Sequence, residues 1–204
     1  RTPLTRLRLS MEFLTNDSEL TEDMVRDIED MDAILDQFLA FIRDGRDEPL
    51  EDIDLLELIR EVVAPYNQQR EQVRLCLEAV PRFPLRRVSL KRLLVNLIEN
   101  ALRYGGNAVE VAVYISGDHG APYLVLSVLD RGAGIEPTEL DTLFNPFIRG
   151  DRARGGQGAG LGLAIVKRIA ALHGGSVELR NRSGGGLEAR VCLPLGLLLP
   201  RDAA

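Results

Sequence analysis

Apolar residues recur along this chain with two different periods, and the change from one to the other divides it. Leu4, Leu7, Met11 and Leu14 stand three or four apart, and after the turn-like stretch TNDSE the same spacing returns at Met24, Ile28, Met31, Leu35, Phe38 and Ile42. Such spacing lines one seam on each of two helices, and the short connection makes them an antiparallel hairpin. A lone hairpin buries too little apolar surface to be stable, so the pattern predicts a homodimer joined as a four-helix bundle. Gly45 and Pro49 interrupt the pattern. They place the first domain at residues 1–46 and the second at 47–204.

In the second domain helical and strand periods mix. DLLELIREVVAPYNQQR reads as a helix and VRLCLEAV as a strand, while SLKRLLVNLIENALRYG reads as a helix with Ser89 at its cap. AVEVAVYIS and YLVLSVLD alternate as strands do, AGLGLAIVKRIAALHGG is helical, and SVELRN and LEARVCLP close the domain as strands. Helices and strands do not alternate regularly. The expected fold class is α+β: a helical hairpin followed by a layer of helices over one face of a sheet.

Composition narrows the function classes. A hydrophobic fraction of 45% and a charged fraction of 27% in 204 residues fit a globular protein. A net charge of −6 with no basic stripe argues against a nucleic-acid surface. No apolar run is long enough to cross a bilayer, so any membrane anchor is expected outside this sequence. Cys76 and Cys192 lack metal-ligand spacing and read as two reduced thiols of a cytoplasmic domain. His119 falls in a loop. His173 precedes Gly174 and Gly175 at a helix end, where the helix dipole favours a positive imidazole.

Three stretches carry polar groups that packing alone does not require. On the helix 89–105, Asn96, Asn100 and Arg103 form a stripe beside the apolar face of Leu90, Leu93, Leu94, Leu97 and Ala101. Two asparagine carbonyls there could hold a hard cation such as Mg²⁺, with Arg103 meeting phosphate and Tyr104 a stacking ring; an exposed polar helix face reads equally well. In YLVLSVLDRGAGI, alternation turns Asp130 inward with Leu124, Leu126 and Val128. That carboxylate needs donors. They come either from local N–H groups of a turn or from a base with an exocyclic amine, which Gly132 and Gly134 would let approach the backbone. In GGQGAGLGLAIVKRI, glycines 155, 156, 158, 160 and 162 stand at a helix entrance, where exposed N–H groups suit an anion. No Gly-Lys-Ser/Thr follows, so this is not a P-loop.

In their order along the chain these motifs resemble the ATP-binding domain of sensor histidine kinases, an α/β sandwich shared with Hsp90-type chaperones, DNA gyrase and MutL. NLIENALRYG is similar to the N box, DRGAGI to the G1 box, LFNPFIRGD to the F box and GAGLGLAIV to the G2 box. The stretch RTPLTRLRLSMEFL is similar to the end of the H box in the dimerising hairpin, and its wording resembles EnvZ-type osmosensor kinases.

The resemblance implies autophosphorylation of a histidine by Mg²⁺-ATP and transfer to an aspartate of an OmpR-like response regulator. The phosphate-accepting histidine would lie three residues before Arg1. By matching positions, Asn100 is the implied Mg²⁺ ligand, supported by Asn96. Arg103 would approach phosphate, Arg149 would also contact the nucleotide, Tyr104 and Ile135 would flank adenine, and Asp130 would accept from its amine. Gly132 and Gly134 would line the base, and Gly158, Gly160, Leu161 and Gly162 would cradle the phosphates. Phe144 and Phe147 would anchor a lid, with Phe147 reaching the nucleotide. Thr2 matches a position linked to phosphatase activity. The implied setting is the cytoplasmic part of a bacterial inner-membrane protein. A second reading of the same motifs is a nucleotide-gated dimerisation module without autokinase activity.

Overall fold

The computed structural model describes residues 45–106, 108–117, 122–148 and 160–197, together with Val25, Ile28, Met31, Leu35, Phe38 and Leu39. Those six positions are helical. The hairpin's connection, its pairing and its dimer seam lie outside the described residues. From residue 45 onward the elements are β1 (Glu51–Ile53), α1 (Leu55–Val63), β2 (Val73–Leu77), β3 (Phe83–Leu85), α2 (Arg87–Gly105), β4 (Val109–Ser116), β5 (Tyr123–Leu129), α3 (Gly162–Leu172), β6 (Ser176–Asn181) and β7 (Leu187–Pro194).

Five strands form one mixed sheet in the order β2-β4-β5-β7-β6. β2 and β4 run parallel, because the connection between them passes through α2 and must cross over. The other neighbouring pairs are antiparallel. β1 and β3 pair separately as a short ribbon. At three residues each, they are too short to carry a periodic signal. The core lies between the sheet and the helices. Leu90, Leu93, Leu94, Leu97 and Ala101 of α2 are buried, as their spacing predicts, with Ile165, Val166 and Ile169 of α3 and Val111, Val113, Leu124, Leu126, Val128 and Val191 of the sheet.

Two predicted elements differ at their ends. α1 stops at Val63, where Pro65 cannot donate a backbone hydrogen bond, and the chain tightens into a 3₁₀ turn over Ala64–Asn67. α2 starts two residues before the expected cap: Ser89 is its third residue, and Arg86 at the cap position makes no side-chain capping bond. The caps come instead from distant residues. The Glu48 carboxylate accepts from the N–H groups of Val88 and Ser89 and from Ser89 Oγ at 2.6 Å. His173 Nε2 accepts from the Arg86 N–H at 3.1 Å. Orphan donors of a helix start are thus satisfied through tertiary contacts that local sequence does not announce.

His173 closes α3 as expected, but not as a cation. The ring is buried, and burial pushes its pKa below the ordinary 6.5. With Nε2 accepting from Arg86, Nδ1 carries the proton and donates to Ile169 O at 2.9 Å. Desolvation outweighs the attraction of the helix C-terminus. The neutral form is therefore the folded form. As pH falls through 6.5 the unfolded chain takes up a proton that the native ring resists, so stability declines from there down to the lower native pKa. Urea unfolding between about pH 8 and about pH 5.5 should show this slope, and His173→Gln should flatten it relative to wild type. An unchanged slope in the variant removes His173 from the effect.

The sheet face away from the helices is covered by its own side chains. Val125 and Ser127 are buried there although alternation turns them from the helix layer. Ser127 Oγ donates to Glu188 at 2.7 Å, and the Arg190 guanidinium lies 6.0 Å from the Tyr114 ring centre. Cys76 and Cys192 are free, half-buried thiols on this face, and burial raises the Cys192 pKa.

Candidate functional site

Three segments meet along α2. At its C-terminal end, Gly105 lies so close to Asp130 that a Cβ there would sit 2.1 Å from the Asp130 Cβ. Gly132 is also tight, since a Cβ would fall 2.6 Å from Tyr104 O. Nearer the middle of α2, the first residue of α3 approaches the asparagine stripe: a Cβ on Gly162 would meet Asn96 Oδ1 at 3.0 Å and Asn100 Nδ2 at 3.4 Å. At 1.5 Å per residue the two meeting points are roughly 8–13 Å apart along the helix. Asp130, the asparagine pair and the entrance of α3 therefore share one wall.

Asp130 is only 7% exposed. Its Oδ1 accepts from the Gly132 N–H at 2.8 Å and the Leu187 N–H at 3.0 Å. The sequence left two sources of donors open, and the geometry leaves room for both. Oδ1 closes the local turn, and Oδ2 is the oxygen left to a ligand's N–H.

Asn96 Nδ2 donates to Arg92 O at 2.8 Å, which turns its Oδ1 toward Gly162. Leu161 at the N-cap position of α3 makes no side-chain capping bond, and the N–H groups of a helix's first turn have no partner within the helix itself. Gly160 holds φ 67°, and its carbonyl accepts from the Phe147 N–H at 3.0 Å, tying the segment after Phe144 to this entrance. Leu161 is fully buried. Arg103 and Tyr104 lie on the exposed side of α2's last turn.

The two phenylalanines differ in exposure. Phe144 is buried, with Lys167 Nζ 5.6 Å from its ring centre. Phe147 adopts a left-handed backbone, φ 65°, and is 59% exposed, with its ring tilted against Phe38 at 6.4 Å between centres. The turn that carries its N–H to Gly160 directs the ring outward. Thr2, Arg149 and Gly158 lie outside the described residues.

Several site residues escaped the motifs. Asn181 holds Ile135 by both backbone groups, Arg182 Nη1 donates to Asp130 O at 2.6 Å, and Leu187 supplies an N–H to the Asp130 carboxylate. All belong to the β6–β7 hairpin. Its one sequence signal is the run Gly184-Gly185-Gly186, whose φ values are all positive; a Cβ on Gly186 would sit 2.1 Å from Asp130 O.

The chain belongs to the histidine kinase-, DNA gyrase B- and HSP90-like ATPase family, whose model matches residues 86–197. The match begins at the α2 cap and ends just past β7, so it covers every element described above as part of the site. Sensor histidine kinase GtrS of Pseudomonas aeruginosa is 38% identical over 97% of this chain, which spans 40% of that relative's length. Full-length ShkA, solved in complex with AMPPNP, superposes with a TM-score of 0.70 at 25% identity over 95% of this chain and 43% of its own. The histidine kinase domain of the Escherichia coli osmosensor EnvZ superposes with a TM-score of 0.57 at 35% identity over 76% of this chain and 92% of its own. The matched region is an ATP-binding domain of the histidine kinase type. Among the described residues no helix is long and apolar enough to cross a membrane, and no group of three His, Cys, Asp or Glu side chains could hold a metal ion.

Proposed function

We propose that this chain is the kinase core of a sensor histidine kinase. It binds Mg²⁺-ATP, directs phosphoryl transfer to a histidine upstream of Arg1, and supports onward transfer to a response-regulator aspartate. The observation that carries this reading is the meeting of Asp130, Asn96, Asn100 and Gly162 along α2. It is supported by a family match together with relatives named as sensor histidine kinases.

Bound Mg²⁺-ATP supplies the phosphoryl group and a counter-charge for it. The chain's own work is placement. Asp130 Oδ2 accepts from the adenine amine, Tyr104 and Ile135 flank the ring, and Gly132 and Gly134 let the base approach the backbone. Asn100 would hold the cation, with Asn96 supporting it, since Mg²⁺ uses few protein ligands. Arg103 and Arg149 neutralise phosphate charge, Phe147 closes over the nucleotide from the lid, and the backbone at Gly158, Gly160, Leu161 and Gly162 donates to the anionic end. Gly162 suits this role because any side chain there would fill the space between the helix start and the two asparagines.

The finer parts of the proposal rest on residues 1–46 and on similarity. The heptad hairpin makes a homodimer, Thr2 orients a water for dephosphorylation of the regulator, and the RTPLTR wording favours an EnvZ-type sensor with an OmpR-like partner on the cytoplasmic side of a membrane. The test is acid-labile label from γ-labelled ATP in a chain extended through its native upstream residues. Wild type should label in Mg²⁺, and Asn100→Ala should lose label by on the order of 100-fold or more. Full labelling of Asn100→Ala removes that residue from the mechanism. ATP binding with no label at all in the extended wild type favours the nucleotide-gated dimerisation module.

A further inference from the structure

The loop that follows Asp130 is held from behind by two consecutive residues of the β6–β7 hairpin. Asn181 Oδ1 accepts from the Ile135 N–H at 2.9 Å, and Asn181 Nδ2 donates to Ile135 O at 2.6 Å. One amide thus grips both backbone groups of a single residue, much as a neighbouring strand would. Arg182 Nη1 donates to Asp130 O at 2.6 Å, at the other end of the same loop. Between these two grips the loop contains Gly132 and Gly134, and Gly134 sits at φ 71° with its missing Cβ only 2.6 Å from Asn181 Oδ1. A loop of this composition has many conformations open to it. Its shape here depends on being pinned at both ends.

We propose that Asn181 is a positioning residue for purine recognition: it sets the height of Ile135 over the base and, with Arg182, fixes the loop that presents the Asp130 carboxylate. This rests on the nucleotide reading of the Asp130 wall. Asn181 is itself exposed, so it contributes little to burial and its replacement leaves the core intact. Its effect falls on the loop. Ordering that loop in advance lowers the entropy lost when a ligand binds, so losing the grip weakens binding at the base end and leaves the phosphate end unaltered.

The test uses the 204-residue chain, with ATP and GTP titrated against wild type, Asn181→Leu and Asn181→Asp, and thermal melts run alongside. Asn181→Leu should bind ATP about tenfold more weakly while melting close to wild type, and its preference for ATP over GTP should narrow. Asn181→Asp keeps the shape and the acceptor, but when ionised it cannot donate to Ile135 O. Its deficit relative to wild type should therefore shrink as pH falls and the carboxyl gains a proton. A purely structural contribution would lower both nucleotides equally and give no such pH dependence. Wild-type affinity in both variants overturns the positioning role and leaves the site intact. Failure of the wild-type chain itself to bind ATP overturns the nucleotide reading and the proposal with it.

Discussion

Asp130→Asn should cost ATP affinity roughly 2–4 kcal/mol, about 30- to 1,000-fold in Kd, while the fold survives. The asymmetry follows from how the two carboxylate oxygens are used. Oδ1 accepts from Gly132 and Leu187, and an asparagine oxygen can take over both bonds. That choice puts the NH₂ group where Oδ2 stood, so a donor faces the donor of the adenine amine. A base with a carbonyl at that position meets the new donor better, so the loss should be smaller for ITP than for ATP. Asp130→Ala is the less informative variant, because it strips the acceptor from two N–H groups and lowers stability as well. Isothermal titration with ATP and ITP, with a denaturant melt as control, decides the matter. Equal ATP binding by Asp130→Asn and wild type would remove the carboxylate from base recognition.

Gly105→Ala should produce a large structural effect at the site from a single methyl group. The added carbon would overlap Asp130, lying 2.1 Å from its Cβ and 2.4 Å from its Cγ. Neither neighbour can give way cheaply. Gly105 ends α2 and is buried, and the Asp130 N–H and C=O are both engaged, with Leu187 and Arg182. Forcing the helix end from the strand should destabilise the chain by about 1–3 kcal/mol or more and weaken ATP binding at least about tenfold, since Tyr104 moves with Gly105. Urea unfolding measures the first effect and ATP titration the second. A Gly105→Ala chain with wild-type stability would mean that the helix end and β5 are not in the close contact described.

The contact between Phe38 and Phe147 joins the helical repeat to the segment tied to Gly160. The family resemblance implies that Phe147 anchors a lid and reaches the nucleotide. Its outward ring in this conformation places the pair between the apolar seam of the helix and the ATP-binding domain.

Sequence by itself determined what depends on short-range regularity. The 3.6-residue period of Leu90, Leu93, Leu94 and Leu97 places the core face of α2, and the two-residue period of β4, β5 and β7 places their inner faces, because each pattern is set by backbone geometry alone. Glycine clusters and the asparagine stripe stood out for the same reason: they are locally unfavourable choices that packing does not require. Tertiary structure alone decided which distant groups complete them. Glu48 and His173 cap α2 from 40 and 87 residues away in sequence, a relation no local signal encodes. Desolvation, a property of the packed core, made His173 neutral where the helix dipole by itself predicts a cation. The grip of Asn181 and Arg182 on the loop after Asp130 belongs to the same class. Hydrogen bonds across 46 and 52 residues exist only once the sheet has brought β6 beside β7 and β7 beside β5.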